Sequence, residues 1–203
     1  MNTDADVVSE PANAMRLADA LQVLIDLRTE DQIVVTSMGA AHHWPRMCQH
    51  VLDFHYVPST MSGVVPLGLG LALSQPDREV LAFCGDGSLL MSLGCLVSVI
   101  DSGAVNLTIV LVNNGLYEVT GGQKTAATNH NVNFAGFAQA AGFPCVSQFS
   151  GLHDWQHGAA GILGAPGPRF ISLRIQQERE NSALAPPCPM HEEVDRLRQA
   201  LAD

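Results

Sequence analysis

Two short runs in this sequence carry groups that can hold a charged ligand. The first is Gly85-Asp86-Gly87-Ser88, at the junction between an apolar run ending at Cys84 and a helical pattern starting near Ser88. Its glycines let the backbone approach a ligand closely. A helix beginning there points unbonded N–H groups at whatever lies beyond. That suits an anion, yet Asp86 would repel a phosphate. The conflict disappears if Asp86 holds Mg²⁺ and the ion bridges to the phosphate oxygens. The second run, Asn113-Asn114-Gly115, stops the apolar stretch from Asn106 to Val112. Taken singly, each run reads as ordinary turn chemistry. Together they read differently, because twenty-five residues lie between Gly87 and Asn113, enough for one helix and one strand. Asn113-Asn114 then falls at the end of a neighbouring strand, beside Asp86. An amide oxygen and a loop carbonyl there are suitable hard ligands to complete a magnesium shell.

The elements that must position these runs follow from periodicity. Helical spacing predicts an amphipathic helix over Asn13–Arg28 and a Gly/Ala-rich one over Gly63–Leu73. Further helices are expected over Ser88–Ser102, over Asn133–Ala141, between 149 and 170, and over His191–Leu201. Short apolar runs predict strands at Gln32–Thr36, Phe54–Val57, Glu79–Cys84, Asn106–Val112, Cys145–Phe149 and Phe170–Ile175. A long loop is expected from Asn113 to about His130. This alternation, with near-continuous apolar strands, predicts an α/β fold: a three-layer, doubly wound, mostly parallel sheet in a single domain. Ligands of such sheets sit beyond the carboxyl ends of the strands. The three candidate loops, 37–43, 85–88 and 113–122, all follow predicted strands and so converge on one edge.

Composition narrows the partners. The 203 residues suffice for one domain with a large core, and the formal charge of −10 argues against nucleic acid or an anionic membrane. Met1 to Pro11 is polar and acidic and lacks the apolar run of a signal peptide or anchor. Val64–Leu73 is too short to span a bilayer. Five cysteines, Cys48, Cys84, Cys95, Cys145 and Cys188, form no CxxC pair. Reduced thiols and a cytoplasmic location are expected.

Glycine-aspartate-glycine, some 25 residues, then paired asparagines at a strand end resembles the magnesium- and diphosphate-binding signature of thiamine-diphosphate enzymes. Here it reads GDGSLLMSLGCLVSVIDSGAVNLTIVLVNN. The continuation NNGLYEVTGGQKT, from Asn113 to Thr125, resembles the phosphonopyruvate and sulfopyruvate decarboxylases. So does STMSGVVPLGLGLAL, from Ser59 to Leu73, which matches their GSMG…GLGLAL segment. The resemblance covers roughly residues 32–175, the pyrophosphate-binding domain of that family. It implies a domain over 13–180, a flexible lead-in at 1–12, and a Pro-rich linker with a C-terminal helix at 181–203.

Carried over by motif, Asp86 and Asn114 are side-chain ligands of Mg²⁺ and Leu116 adds its backbone carbonyl. Gly85, Gly87 and Ser88 cradle the diphosphate, and Gly39 and Tyr117 join them as cofactor contacts. Met61 matches the apolar residue that props the cofactor into its bent shape; an ordinary core methionine is the alternative. Thr60 falls where backbone contacts to the aminopyrimidine occur. Lys124 is either a group facing an anionic substrate or a solvated loop lysine. Two departures stand out. Gly39-Ala40-Ala41-His42-His43-Trp44 lacks the family's hydroxyl and basic residue, leaving His42 and His43 as candidates to replace that contact or act in catalysis, or else as a solvated pair. Ser59 and Ser62 replace glycines, so a slightly different backbone path is expected there.

The family's activating glutamate belongs to a separate pyrimidine-binding domain, and nothing in this chain suggests a second α/β unit. The resemblance therefore implies one subunit of a split decarboxylase acting on a small anionic 2-oxoacid. The partner is a pyrimidine-binding subunit on another chain, within a homo- or hetero-oligomer. Other readings are the thiamine subunit of a 2-oxoacid:ferredoxin oxidoreductase, a non-catalytic cofactor-binding module, and an unrelated doubly wound protein.

Overall fold

In a computed structural model describing residues 14–129, 132–177 and 186–202, six parallel strands form one sheet between two layers of helices. In chain order the elements are α1 (Leu17–Asp26), β1 (Ile33–Thr36), α2 (Met38–Met47), β2 (Asp53–His55), α3 (Val64–Ser74) and β3 (Val80–Gly85). Next come α4 (Asp86–Leu90), α5 (Gly94–Asp101), β4 (Leu107–Asn113), β5 (Leu116–Tyr117), β6 (Gln123–Lys124) and α6 (Ala126–Asn129). Last are α7 (Phe134–Ala141), β7 (Cys145–Phe149), α8 (Leu152–Leu163), β8 (Arg169–Arg174) and α9 (Met190–Ala202). The sheet order is β2-β1-β3-β4-β8-β7, and β5 and β6 make a separate antiparallel hairpin.

The apolar strands are explained by burial on both faces. Ile33, Val35, Ala82, Ile109 and Phe170 point into a core with α3, α5, α7 and α9. Val34, Leu81, Phe83, Val110 and Ile171 point the other way, toward α1, α2 and α8. Neighbouring residues thus serve opposite cores, which forbids a one-residue register slip. The chain leaves β1 toward β2 on one side and then crosses to β3 on the other. The switch point therefore lies between the ends of β1 and β3, where ligand-binding crevices form in open α/β sheets.

Three expectations need correction. The expected loop over 37–43 is mostly the first turns of α2, because Ala40, Ala41 and Trp44 make a buried stripe at helical spacing. The helix expected over 88–102 breaks at Met91–Leu93, where Ser92 and Gly94 weaken it, giving α4 and α5. The long loop after Asn113 instead folds into the β5–β6 hairpin, a 3₁₀ turn over Glu118–Thr120, and α6.

The lead-in expected at 1–12 and the 181–185 part of the expected linker lie outside the described residues. The C-terminal helix packs on β2. Glu193 is fully buried, accepts the His55 N–H at 3.2 Å, and bonds Arg196 Nη2 at 2.7 Å. Among the described residues no helix is long and apolar enough to cross a membrane.

Candidate functional site

At the switch point a cavity of about 350 Å³ opens, within the usual range for small-ligand sites. The end of β1 contributes Ser37 to Ala40, and the end of β3 contributes Gly85 and Asp86. From the 57–61 turn come Val57, Pro58, Ser59 and Met61, and past β4 come Asn114, Leu116, Tyr117, Glu118 and Thr120. The charged side chains among these are two carboxylates, Asp86 and Glu118, with no Lys, Arg or His.

Asp86 is the centre of the arrangement. It is 1% exposed, and its Oδ2 accepts the Thr125 hydroxyl at 2.7 Å. Its Oδ1 is buried with no hydrogen-bond partner. Burial pushes the carboxyl above its ordinary range, while Thr125 and the nearby N–H groups of Asp86, Gly87 and Gly115 oppose the rise. A buried carboxylate oxygen without a partner is costly unless something cationic completes it. Asn113 Oδ1 is likewise buried and unpartnered. Asn114 Oδ1 accepts the Leu116 N–H at 2.9 Å, and its Nδ2 donates to Glu118 Oε2 at 3.3 Å. All these donors are hard oxygens, which suits a small divalent cation such as Mg²⁺ better than a softer metal. Among the described residues no cluster of three His, Cys, Asp or Glu offers a competing site. The residues present therefore fit a divalent ion at Asp86 and Asn114, with room beside it for the ion's phosphate partner.

The glycines of the motif divide the work. At Gly85 a Cβ would meet nothing within 4 Å, so its backbone borders open space. At Gly87 a Cβ would strike the Tyr117 ring, so this glycine seats the tyrosine rather than leaving an empty cradle. Ser88 is buried beneath, and its Oγ accepts the Ser62 N–H at 2.7 Å, which ties the 59–62 turn to the motif. Ser62 itself sits at φ 72°, the left-handed region that favours glycine. The serine substitution thus keeps a glycine-like backbone there. Met38 shares that conformation at φ 52° on the cavity wall. Burial pushes the Cys84 thiol up to about 12, which leaves it unreactive under the site.

The structure brings Gly39, Met61, Gly85, Asp86, Asn114, Leu116 and Tyr117 together on one cavity. Thr60 is exposed beside it, its carbonyl occupied by the Gly63 N–H at 3.0 Å. His42 and His43 do not line it, because α2 carries them a turn beyond its first residues. His42 Nε2 instead meets Arg46 Nη1 at 2.8 Å, and the two imidazoles touch edge to face. Lys124 is exposed in the hairpin, paired in register with Leu116. Glu118, Thr125 and Ser37 went unrecognised in the sequence. Thr125 lies within the matched NNGLYEVTGGQKT run and was the most findable of the three. Ser37 Oγ donates to the Phe83 carbonyl at 2.8 Å and so leaves the N-terminus of α2 without a side-chain cap.

Known proteins resemble this chain over most of its length. The family described as thiamine pyrophosphate enzyme, C-terminal TPP binding domain, matches residues 33–173. A phosphonopyruvate decarboxylase of Streptomyces hygroscopicus is 34% identical over 71% of this chain, which spans 35% of that protein. The sulfopyruvate decarboxylase subunit beta of Methanothermobacter thermautotrophicus is 36% identical over 72% of this chain and 75% of that subunit. An X-ray structure from Mycobacterium smegmatis, of a protein assigned to the thiamin diphosphate-dependent enzymes, overlays with a TM-score of 0.65 at 20% identity. The overlay covers 81% of this chain and 32% of that one, and it supports the fold alone. With the motif-bearing strand ends meeting at the switch point and the family match running from β1 into β8, this chain belongs to the thiamine pyrophosphate enzymes, as their C-terminal TPP-binding domain.

Proposed function

We propose that this chain is the Mg²⁺- and diphosphate-binding subunit of a two-chain 2-oxoacid decarboxylase of the sulfopyruvate or phosphonopyruvate type. The observation that carries the reading is Asp86: a buried carboxylate with an unpartnered oxygen, at the switch point, beside Asn114. Asp86 and Asn114 would hold the ion by their side chains and Leu116 by its carbonyl. Gly85 keeps the backbone close to the diphosphate, Gly87 seats Tyr117 beside it, and Met61 offers an unbranched thioether against the cofactor's rings. When bound, thiamine diphosphate supplies the electron sink that decarboxylation of a 2-oxoacid requires. The apolar part of the wall, with Val57, Leu116 and Met61, keeps water from the reacting region.

The chain spans three quarters of a relative whose name marks it as a beta subunit, and about a third of a phosphonopyruvate decarboxylase. The likeness to a beta subunit supports a partner on another polypeptide. Of the two carboxylates lining the cavity, Asp86 takes the Thr125 hydroxyl and Glu118 the Asn114 amide, and this reading gives neither of them the pyrimidine ring. The activating glutamate would come from the partner chain.

The test is reconstitution. The chain alone should turn over none of pyruvate, sulfopyruvate or phosphonopyruvate, and should bind cofactor only with a divalent ion present. Adding a pyrimidine-domain subunit should restore activity, and its glutamate-to-glutamine variant should remove most of it. Turnover by the isolated chain, or equal cofactor affinity with chelator present, would overturn the reading.

A further inference from the structure

Asparagine is an ambiguous cation ligand. Its oxygen binds an ion, its NH₂ end repels one, and the two ends are nearly the same size. A site built on Asn114 therefore depends on which way round the amide sits. Two neighbours of fixed sense decide this. The Leu116 N–H can only donate, and it binds Oδ1 at 2.9 Å. Glu118 Oε2 accepts from Nδ2 at 3.3 Å. The backbone below is also held, since Gln177 Nε2 bonds the Asn114 carbonyl at 3.0 Å.

Glu118 reaches this position because residue 39 has no side chain. A Cβ on Gly39 would lie 2.8 Å from Glu118 Oε2. Gly39 thus makes room for the carboxylate, and the 3₁₀ turn that starts at Glu118 brings it back over Asn114. Two segments far apart in sequence meet so that one lone pair of Oδ1 goes to Leu116 and the other stays available to an ion.

We propose that Glu118 is a positioning residue for the cation site, fixing the Asn114 amide with its oxygen toward the ion. The proposal rests on the cofactor reading above. It is tested on the full chain by calorimetric titration of Mg²⁺ at fixed, saturating thiamine diphosphate. Melting temperatures without ligand confirm that each variant folds. Glu118→Ala should weaken Mg²⁺ binding by about tenfold, or about 1.4 kcal/mol. Glu118→Gln, which still offers an oxygen to Nδ2, should stay within about threefold of wild type. In an Asn114→Asp background the ligand has oxygen at both ends, so Glu118→Ala should lose most of its effect.

Equal loss in Glu118→Gln and Glu118→Ala would mean that the charge acts on the ion directly, which overturns positioning. An undiminished tenfold loss in the Asn114→Asp background overturns it too. If wild type binds Mg²⁺ with cofactor and Glu118→Ala matches it, this proposal falls and the cofactor reading stands. If wild type shows no metal-dependent cofactor binding, both fall.

Discussion

Asp86 shows how function and stability pull apart at a single residue. Its Oδ1 is buried without a partner, and burial raises its carboxyl. Leaving a buried polar group unsatisfied costs about 1–3 kcal/mol. Asp86→Asn removes the buried charge, though it leaves a polar atom in that place, and should raise the melting point of the ligand-free chain by about 2–4 °C. The same change should abolish Mg²⁺-dependent binding of thiamine diphosphate. Melting curves with and without cofactor and ion check both halves, and an unchanged or lower melting point for the ligand-free variant would count against the account. Asp86, Asn114 and Gly85 were legible because a motif with fixed spacing across one helix and one strand leaves little freedom. Thr125 and Glu118 were not, because their roles exist only once the β5–β6 hairpin closes over Asp86. No local pattern in sequence encodes that closure.

Among the elements, α3 separates its glycines by what they face. A Cβ at Gly68 would meet the Ala82 Cβ at 2.9 Å and Leu107 Cδ1 at 3.3 Å, so this residue lets the helix sit close on β3 and β4. Gly70 is exposed, and a Cβ there would meet nothing within 4 Å. Gly68→Ala should destabilise the chain by about 1–3 kcal/mol through overpacking. Gly70→Ala should stabilise it by about 0.5–1 kcal/mol, as expected for a helix interior. Denaturant unfolding of the two variants decides, and equal effects would contradict this assignment of faces. A small-residue helix was readable from the run GLGLAL, but which glycine packs inward was not, since both interrupt the same apolar pattern. α2 was missed for a different reason. Gly39 at its start and Pro45 inside it are helix-weakening residues. They outweighed the Ala40, Ala41 and Trp44 stripe until burial against β3 and α1 was visible.

For the whole molecule, the network between β2 and α9 contributes one part of the response to acid. His55 is buried, with Nδ1 bonded to Thr36 Oγ1 at 2.8 Å. Burial lowers its pKa below the ordinary 6.5; Glu193 and Asp53 oppose this, while Arg196 and Arg28 reinforce it. Above 6.5 the imidazole is neutral in both folded and unfolded chains, so stability there does not depend on it. As pH falls below 6.5 the unfolded chain takes up a proton that the folded one refuses. Stability then falls by up to about 1.4 kcal/mol per pH unit until the folded pKa is reached. His55→Asn, which keeps an acceptor for Thr36, should flatten this part of the profile in melts from pH 7.5 to 5. A profile as steep as wild type would exclude His55 as its source. The sequence supplied the residues of this network but not their meeting, because Glu193 and His55 lie 138 positions apart. The unpartnered oxygen of Asp86 also has a consequence for resistance to proteases. On the proposed reading, ion and cofactor binding would add about 2.7 kcal/mol of stability at a hundredfold excess over Kd. Proteases sample the open form in proportion to its population, so limited proteolysis of the ligand-free chain should run faster than that of the chain with ion and cofactor.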